Sequence, residues 1–492
     1  MPGAIRIERE VAVPMRDGVV LRAEVWCPDD GAAHPAVLVR TPYFKEDAAP
    51  LPVTDSRRAA ERGFAVVLQD VRGRGTSGGS FEPFVNEEAD GADSVAWTAA
   101  QPWCDGRVVM AGMSYVGATQ WLAAAAGPPA LRAIAPTLSS DEFGEGWSLR
   151  DGVVEHGFLG TWSAADLPPV GRQWLDDPER GYEDPAALAE IAPWTREWFT
   201  ETAGSPYWRS RSVAARGADV QVPVLAIGGW YDIFLAATLR SFARSRHPSD
   251  RLLIGPWGHD SALSNFVGEA NLGSAGLGAP LMFDTAIDFY EAAFAGREPD
   301  VARVRAYVLG ARRWLDLPAW PPPDAGPLAL PLAAGAFAVQ PDEPVPSLGG
   351  RGLLVQVPGE GFGVRDQRPV AARDDVLTAL RAPRTEPLTL AGPMRARLAV
   401  GANLNADALW TVTLCVEHED GFLQNICEGV ARTQPGATDV TVELGDACVE
   451  VAPAQSLVAL VAGSSYPRWP RPAAAGTQRV ADGSRLELSV RT

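Results

Sequence analysis

The feature that most constrains the fold of this chain is a serine at the end of a short apolar run. The run 108–111 leads through Gly112 and Met113 to Ser114, and an alanine-rich stretch follows at 118–126. This pattern predicts a strand, a sharp turn and a helix. Such a turn lifts the serine hydroxyl above the sheet and places the first backbone N–H groups of the helix beside it. Ser114 is therefore the candidate nucleophile.

The spacing around Ser114 departs by one residue from the strict nucleophile-elbow pattern. That pattern has glycine two residues after the serine, whereas this chain has Val116 there and its glycine at Gly117. Serines near glycines are common in ordinary turns, so the motif taken alone favours a plain turn. The interpretation of Ser114 as catalytic therefore depends on finding its partner residues elsewhere in the sequence.

Length and charge limit the class of protein. A chain of 492 residues exceeds what one hydrophobic core usually supports, and it predicts two or three domains. Its 61 acidic and 43 basic residues give a net charge of −18, which repels nucleic acid and anionic membranes and disfavours both as partners. A small-molecule substrate fits this charge better.

Cysteine usage and the N-terminus bear on cofactors and location. The cysteines number 5 and show no C-x-x-C spacing, which disfavours a disulfide framework or a zinc site and predicts buried thiols. The first residues lack the apolar core of a secretion signal, and no apolar run approaches the ~20 residues of a membrane span. We therefore expect a cytoplasmic protein with no metal and no cofactor.

The pattern of apolar runs divides the chain into four segments. Apolar runs alternate with helical ones at 1–140 and again at 219–322, which predicts a parallel sheet covered by helices on both faces. The proline- and tryptophan-rich segment 141–218 predicts an inserted helical cap. Its tryptophans either line a substrate pocket or pack a small subdomain, and the pattern leaves both open. Residues 323–492 alternate with period two and predict an all-β jelly-roll domain.

A serine nucleophile needs a histidine to take its proton and a carboxylate to orient that histidine. Among the 5 histidines, His259 follows an apolar strand and a Gly-Pro-Trp-Gly turn, at the sheet edge where such proteins build their sites. His34, His247 and His418 are interpreted as solvated loop residues. His156, in the cap, is expected either to be structural or to line the substrate pocket.

The candidate carboxylate is Asp232, which follows the apolar run 222–227 and a Gly-Gly-Trp-Tyr turn. By itself this pattern also fits the N-cap of a helix. The chain order Ser114, Asp232, His259 is that of an α/β-hydrolase triad, and it leaves Asp232 and His259 on successive strands where their side chains can meet. Three candidates on three strand ends in this order favour the triad.

Further motifs surround these three residues. The catalytic part carries RTPY at 40–43, DVRGRGTSGG at 70–79, WCDG at 103–106, GMSYVG at 112–117, GGWYD at 228–232 and GPWGH at 255–259. The β domain carries PDEPVPSLGG at 341–350 and DQRP at 366–369. Over almost its whole length the chain thereby resembles the cocaine-esterase-like acyl hydrolases of the X-Pro dipeptidyl-peptidase-like serine hydrolase superfamily.

The resemblance implies an α/β-hydrolase core with an inserted helical cap and a C-terminal all-β jelly-roll domain. It explains the displaced glycine, because such enzymes carry G-x-S-Y-x-G. It also implies that the oxyanion hole joins the backbone N–H of Tyr115 to the phenol of Tyr43, and a tyrosine O–H is a suitable second donor. Asp70 and Arg72 would form a structural pair that holds their loop.

The predicted function is the hydrolysis of small carboxylic esters through an acyl-enzyme on Ser114. In this reading His259 is the general base and acid, and Asp232 orients it. Phe234 resembles an aromatic residue that packs the acyl group in esterases of this kind, and the cap residues Trp162 and His156 are further candidates for the substrate pocket. A homodimer is a further expectation.

Two alternatives stay open at this point. The first is an amide-directed hydrolase on the same fold: an X-Pro dipeptidyl peptidase, a β-lactam acylase or an α-amino ester hydrolase. Enzymes that hold a substrate ammonium need a carboxylate cluster, for which the cap offers Glu142, Glu145 and Asp166. The second is a binding module in which the jelly roll is the active part, and the complete triad argues against it.

Overall fold

The computed structural model describes residues 4–48, 54–165, 180–217, 219–261, 264–352 and 362–491. Asp166, one of the cap acids considered above, lies outside these ranges. The chain begins with a sheet and its covering helices. The strands of this first part are β1 (Ile5–Pro14), β2 (Val20–Pro28), β3 (His34–Thr41), β4 (Ala65–Asp70), β5 (Cys104–Met113) and β6 (Leu131–Thr137). Its helices are α1 (Lys45–Ala48), α2 (Ser56–Glu61), α3 (Glu87–Ala99) and α4 (Tyr115–Ala125).

Short helices follow β6 before the sheet resumes. The elements of this inserted segment are β7 (Leu149–Arg150), β8 (Val153–Val154), α5 (His156–Ala165), α6 (Arg180–Glu183), α7 (Pro185–Ile191), α8 (Thr195–Thr200) and α9 (Pro206–Arg211). Local signals explain several helix starts. The side chain of Asp184 caps α7 and that of Ser205 caps α9, and proline occupies the first turn of both helices.

The second part of the sheet carries the remaining core elements. They are β9 (Leu225–Tyr231), α10 (Leu235–Arg244), β10 (Arg251–Gly258), β11 (Phe266–Val267), β12 (Ala270–Asn271), α11 (Gly278–Ala295), β13 (Val304–Val308) and β14 (Arg313–Leu317). The described strands join in the order β1-β2-β4-β3-β5-β6-β9-β10-β13-β14. Every residue of β4, β9 and β10 is buried, as expected for strands covered on both faces.

The direction of the strands brings the candidate residues to one edge of the sheet. The pairs from β4 through β3, β5, β6, β9 and β10 to β13 are parallel. The carboxyl ends of these strands therefore lie on one side, where sites of α/β proteins are built. β3 neighbours β5, so Tyr43 follows the strand next to the one that ends at Ser114. β9 neighbours β10, so Asp232 and His259 also follow adjacent strands.

The C-terminal part consists mainly of antiparallel strands. Its elements are β15 (Ala325–Pro331), β16 (Gly335–Val339), α12 (Arg368–Ala371), β17 (Val376–Pro383), β18 (Leu388–Asn403), β19 (Ala408–Glu417), β20 (Leu423–Thr433), β21 (Asp439–Val451), β22 (Ser456–Ala462) and β23 (Gly476–Arg491). One sheet has the order β15-β23-β18-β21, with β16 also paired to β23, and the other has the order β17-β22-β19-β20. Two such sheets form the sandwich that the alternating sequence predicts.

Both faces of β19 are buried, although its alternating sequence predicts one buried and one exposed face. Trp410 and Leu414 belong to the main core, as the sequence predicts. Cys415 on the opposite face is also fully buried, because Val345, Val370 and Val458 form a separate apolar cluster around it. Segments distant in the chain, both before and after β19, cover this face, so local alternation could not reveal its burial. The predicted domain limits at 140, 218 and 322 stay predictions.

Candidate active site

Ser114 lies at a strained turn between β5 and α4. Its backbone has φ 61° and ψ −129°, a conformation that residues with a side chain rarely adopt. Its N–H donates to Thr137 O at 2.9 Å, and its carbonyl accepts from Gly117 N at 2.9 Å and from Ser139 Oγ at 2.7 Å. Such strain costs of the order of 1–3 kcal/mol and persists where the surroundings impose it, typically at functional sites. The predicted elbow is present.

Steric contacts explain why the second glycine is displaced. A Cβ on Gly112 would lie 2.2 Å from Cγ1 of Val116, so Val116 fills the space beside the first glycine. A Cβ on Gly117 would lie 2.5 Å from the Cβ of Ser139, in the segment after β6. The close approach that requires glycine therefore falls at position 117, and position 116 accepts a branched side chain.

Asp232 and His259 form a direct contact at the ends of adjacent strands. His259 Nδ1 lies 2.7 Å from Oδ1 of Asp232, which is fully buried, while the His259 side chain is 9% exposed. A carboxylate only accepts hydrogen bonds, so Nδ1 carries the proton and Nε2 of the neutral ring carries the lone pair. This is the tautomer that can take a proton from a serine hydroxyl.

The second oxygen of Asp232 binds the start of the following turn. Its Oδ2 accepts a hydrogen bond from the backbone N–H of Phe234 at 2.9 Å, just before α10. The two interpretations left open for Asp232 are therefore compatible. One oxygen orients His259, while the other satisfies a backbone N–H at the entry to a helix. Both contacts fix the carboxylate in place.

Tyr43 follows β3 in a turn that several contacts hold. The backbone N–H of Tyr43 donates to Thr41 Oγ1 at 3.0 Å, and Arg74 Nε donates to Pro42 O at 2.7 Å. The phenol oxygen of Tyr43 accepts a hydrogen bond from the indole Nε1 of Trp162 at 3.0 Å. Trp162, which the sequence suggests as a pocket residue, thus contacts the candidate oxyanion tyrosine itself.

The side chain of Tyr115 is buried in the core, while its backbone N–H lies at the start of α4 beside Ser114. As the first residue of α4, it has an N–H with no carbonyl one turn earlier in the helix. Its phenol is buried, donates to Glu87 Oε1 at 2.8 Å and accepts from Phe84 N at 3.0 Å. Glu87 pairs with Arg40 at 3.1 Å in the core, and burial raises the pKa of both Glu87 and Tyr115.

A buried aromatic cluster connects these elements. The ring of Phe234 lies edge-on to His259, with centroids 5.3 Å apart, and stacks on Trp147 at 4.3 Å. Trp147 in turn lies 6.4 Å from Tyr115 and 5.4 Å from Trp162. Apart from His259, these side chains are at most 2% exposed, so Trp147 and Trp162 pack a core beside the candidate triad.

Comparison with known proteins identifies the family. The family model for X-Pro dipeptidyl-peptidase (S15 family) matches residues 17–261, and that for the X-Pro dipeptidyl-peptidase C-terminal non-catalytic domain matches residues 298–490. The cocaine esterase of Rhodococcus sp. (strain MB1 Bresler) is 32% identical over 540 residues, which cover 95% of this chain and 92% of that protein. The chain belongs to the cocaine-esterase-like hydrolases of the X-Pro dipeptidyl-peptidase-like family.

Solved structures agree with the fold. An α-amino acid ester hydrolase superposes with a TM-score of 0.84 at 21% identity, covering 100% of this chain and 97% of that one. An aminopeptidase from the marine sediment archaeon Thaumarchaeota archaeon superposes with a TM-score of 0.83 at 20% identity, with the same coverage. The predicted fold class is confirmed, and so is the predicted class of enzyme, a serine hydrolase of the esterase type.

His156 packs among aromatic rings of the cap and the C-terminal domain. It begins α5 and contacts the rings of Phe199, Tyr182 and Tyr466 at centroid distances of 5.6, 5.9 and 6.4 Å. Burial lowers its pKa to about 4. His156, Tyr182 and Tyr466 line a cavity of about 440 Å³. The described ring contacts of His156 are thus with the cap and with the C-terminal domain.

Two of the remaining histidines differ from the prediction of solvated loops. His34 begins β3, and its side chain is 12% exposed and bonds Asp30 at 3.0 Å. His418 contacts both Gln424 and Gln455 at 3.0 Å. Contacts with neighbouring side chains leave these rings only partly exposed, which the local sequence does not indicate.

The predicted pair of Asp70 and Arg72 is wrong. Asp70 accepts hydrogen bonds from the backbone N–H and the Nζ of Lys45, at 2.8 and 3.0 Å. Arg72 bonds Asp90 in α3 at 2.9 and 2.6 Å, and Asp17 at 2.8 Å. The chain turns sharply after β4, so the two side chains leave the loop toward different elements. Each still holds the loop, through another partner.

The described residues bear on metals and membranes as well. Within them, no group of three or more His, Cys, Asp and Glu side chains is arranged to hold a metal ion. None of the described helices is long and apolar enough to cross a membrane.

Proposed function

We propose that the chain hydrolyses small carboxylic esters through an acyl-enzyme on Ser114. The observation that carries this proposal is the 2.7 Å contact of His259 with Asp232, on strands whose carboxyl ends share an edge with the elbow of Ser114. The three candidate residues follow three strand ends in the chain order expected for an α/β-hydrolase.

Each step of the reaction has a residue suited to it. Nε2 of His259 takes the proton as Ser114 Oγ attacks the ester carbonyl, and Asp232 stabilises the resulting imidazolium. The N–H of Tyr115 and the phenol of Tyr43 donate to the oxyanion. His259 then passes its proton to the leaving alcohol, and a water molecule hydrolyses the acyl-enzyme by the same route.

The packing beside the triad supports a small acyl group. Phe234 touches the ring of His259 but is fully buried, and Trp147 behind it is 1% exposed. These rings fill the space next to the catalytic residues, so a large acyl group would have to displace them. That Phe234, Trp162 and His156 line the substrate pocket remains a prediction.

Ester hydrolysis is favoured over cleavage that depends on a substrate ammonium. Glu145 accepts hydrogen bonds from the backbone N–H groups of Asp151 and Gly152, at 2.7 and 3.3 Å. Glu142 lies near Arg240, and burial raises its pKa. Both carboxylates thus have other neighbours, which supports the ester reading over a dipeptidyl peptidase or an α-amino ester hydrolase.

Location and assembly follow from sequence arguments alone. The net charge of −18 supports a small-molecule substrate and argues against nucleic acid. A cytoplasmic location and a homodimer complete the proposal. Size-exclusion chromatography with light scattering tests the dimer, and fractionation of the native cell tests the location.

The decisive experiment is the Ser114→Ala variant assayed with p-nitrophenyl esters and p-nitroanilides of increasing acyl size. Loss of the nucleophile should lower kcat by ~10³ or more, and a serine-directed phosphonate should label wild-type Ser114. Ser210→Ala, an exposed hydroxyl on α9, is the matched control and should keep full activity. Wild-type turnover by Ser114→Ala would refute the acyl-enzyme, and faster cleavage of anilides than of esters would refute the ester preference.

A further inference from the structure

The indole of Trp162 makes a hydrogen bond whose direction is fixed by chemistry. Its Nε1 lies 3.0 Å from the phenol oxygen of Tyr43. An indole N–H only donates, whereas a phenol has one proton to donate and lone pairs to accept. Trp162 therefore makes Tyr43 the acceptor at this contact. The hydroxyl proton of Tyr43 must then point away from Trp162.

We propose that Trp162 is a positioning residue for the oxyanion hole, which aims the hydroxyl proton of Tyr43 toward the reacting carbonyl. This inference rests on the proposed function, because it assigns Tyr43 to the oxyanion. A donor that already points at the developing charge needs no reorientation in the transition state. Accepting a hydrogen bond also polarises the phenol and strengthens its own donation.

The surroundings of Trp162 hold the indole in place. Its ring stacks on Phe158 and Trp198 at centroid distances of 5.7 and 5.6 Å, and it is 2% exposed. Its helix, α5, is fixed at the other end, where the backbone N–H of Gly157 donates to Pro467 O at 2.8 Å. A side chain confined in this way can direct a neighbouring hydroxyl, since few rotamers remain open to it.

The contact reaches from the cap to the core and on to the jelly roll. Glu155, which precedes α5, forms a buried ion pair with Arg468 at 3.2 Å. Arg468 lies between β22 and β23, so the C-terminal sandwich anchors the helix that carries Trp162. The second oxyanion donor thus depends on three distant parts of the chain.

The kinetic test is a double-mutant cycle of Trp162→Phe and Tyr43→Phe. Trp162→Phe keeps an aromatic ring but removes the N–H, and it should lower kcat on the order of 10-fold with little change in KM. Tyr43→Phe deletes the donor itself and should cost on the order of 10²-fold in kcat. In the Tyr43→Phe background, Trp162→Phe should add less than about 2-fold, because no hydroxyl is left to orient.

Acyl-group dependence separates positioning from pocket lining. A positioning residue should lower kcat equally for p-nitrophenyl acetate and p-nitrophenyl benzoate, since both form the same oxyanion. A pocket residue would instead raise KM and affect mainly the benzoate. The control is Trp208→Phe, a buried tryptophan of α9 whose Nε1 makes no hydrogen bond within the described residues. It should change kcat by less than about 2-fold.

A spectroscopic test avoids any change at Trp162. In protein labelled with ¹⁵N-tryptophan, Tyr43→Phe removes the acceptor, so the indole N–H resonance of Trp162 should move upfield and exchange faster with solvent. No shift at Trp162, or multiplicative losses in the cycle, would overturn the inference. Because the spectrum does not require turnover, its result is independent of the Ser114→Ala test. Failure of that test alone would end the proposed function and leave the contact intact.

Discussion

Gly117→Ala tests the steric explanation of the displaced glycine. Whether the substitution raises or lowers the free energy of unfolding decides whether that explanation holds. At an unconstrained helix position, replacing glycine by alanine stabilises a protein by about 1 kcal/mol. The backbone of Gly117 has no positive φ, so alanine is not disfavoured by its conformation. A Cβ there would, however, lie 2.5 Å from Ser139 Cβ and 2.7 Å from Ser139 Oγ. These distances are too short for non-bonded atoms.

The expected result is destabilisation. Forcing an extra methyl into a packed site costs about 1–3 kcal/mol, which exceeds the helix gain. The backbone must also shift at the elbow, because Gly117 N and Ser139 Oγ both donate to the carbonyl of Ser114. We therefore expect a free energy of unfolding lower by about 1–2 kcal/mol, together with a lower kcat.

Ser139→Gly supplies the compensating change. Alone, it removes the hydrogen bond to the Ser114 carbonyl and should cost about 1 kcal/mol. Combined with Gly117→Ala, it removes the clash, so the double variant should be more stable than additive losses predict, by about 1 kcal/mol or more. Urea unfolding followed by tryptophan fluorescence measures all three. Gly204→Ala, where a Cβ meets nothing within 4 Å, should stay within about 0.5 kcal/mol. A more stable Gly117→Ala would refute the steric argument.

Two further predictions concern buried charge. Arg468→Met should lower the free energy of unfolding by about 3–5 kcal/mol, because it leaves the buried carboxylates of Glu155 and Glu428 without this cation. Urea titration measures this loss. The control is Arg305→Met, at an exposed ion pair, which should cost less than about 1 kcal/mol in the same titration. The second prediction concerns His156, whose pKa burial lowers from 6.5 to about 4. The folded state therefore favours the neutral imidazole. This contribution to the free energy of unfolding is fully present above pH 6.5, and about 3 kcal/mol of it is lost as the pH falls toward 4. Glutamine cannot be protonated in this range, so the Tm of His156→Gln should fall less than that of the wild type between pH 6.5 and pH 4. Equal decreases in Tm would contradict the lowered pKa of His156.

The sequence correctly predicted that the three candidate triad residues each follow a strand, while their catalytic roles stay a prediction. Ser114, Asp232 and His259 each come at the end of an apolar run, and parallel strands end at one edge of the sheet. Local pattern therefore carries three-dimensional information at these positions. The contact of Asp232 with His259 needed only the further fact that β9 and β10 are neighbours.

Side-chain partners within loops could not be predicted in this way. Asp70 and Arg72 are close in sequence and opposite in charge, which made a mutual pair plausible. The structure gives each a better partner, because Lys45 and Asp90 come from helices that pack against the loop. Which helix faces which side of a turn depends on the whole fold, and no spacing rule encodes it.

The hydrogen bond from Trp162 to Tyr43 marks the limit of the sequence argument most clearly. The two residues are 119 positions apart, and Arg468, which anchors the helix of Trp162 through Glu155, is 313 positions from that glutamate. Sequence motifs make Tyr43 a candidate because its own turn is distinctive. They cannot identify the residue that orients its proton, because a tryptophan in a tryptophan-rich cap has the same local pattern whether it packs, lines a pocket or donates a hydrogen bond. Only the packing of α5 against the turn after β3 distinguishes these roles.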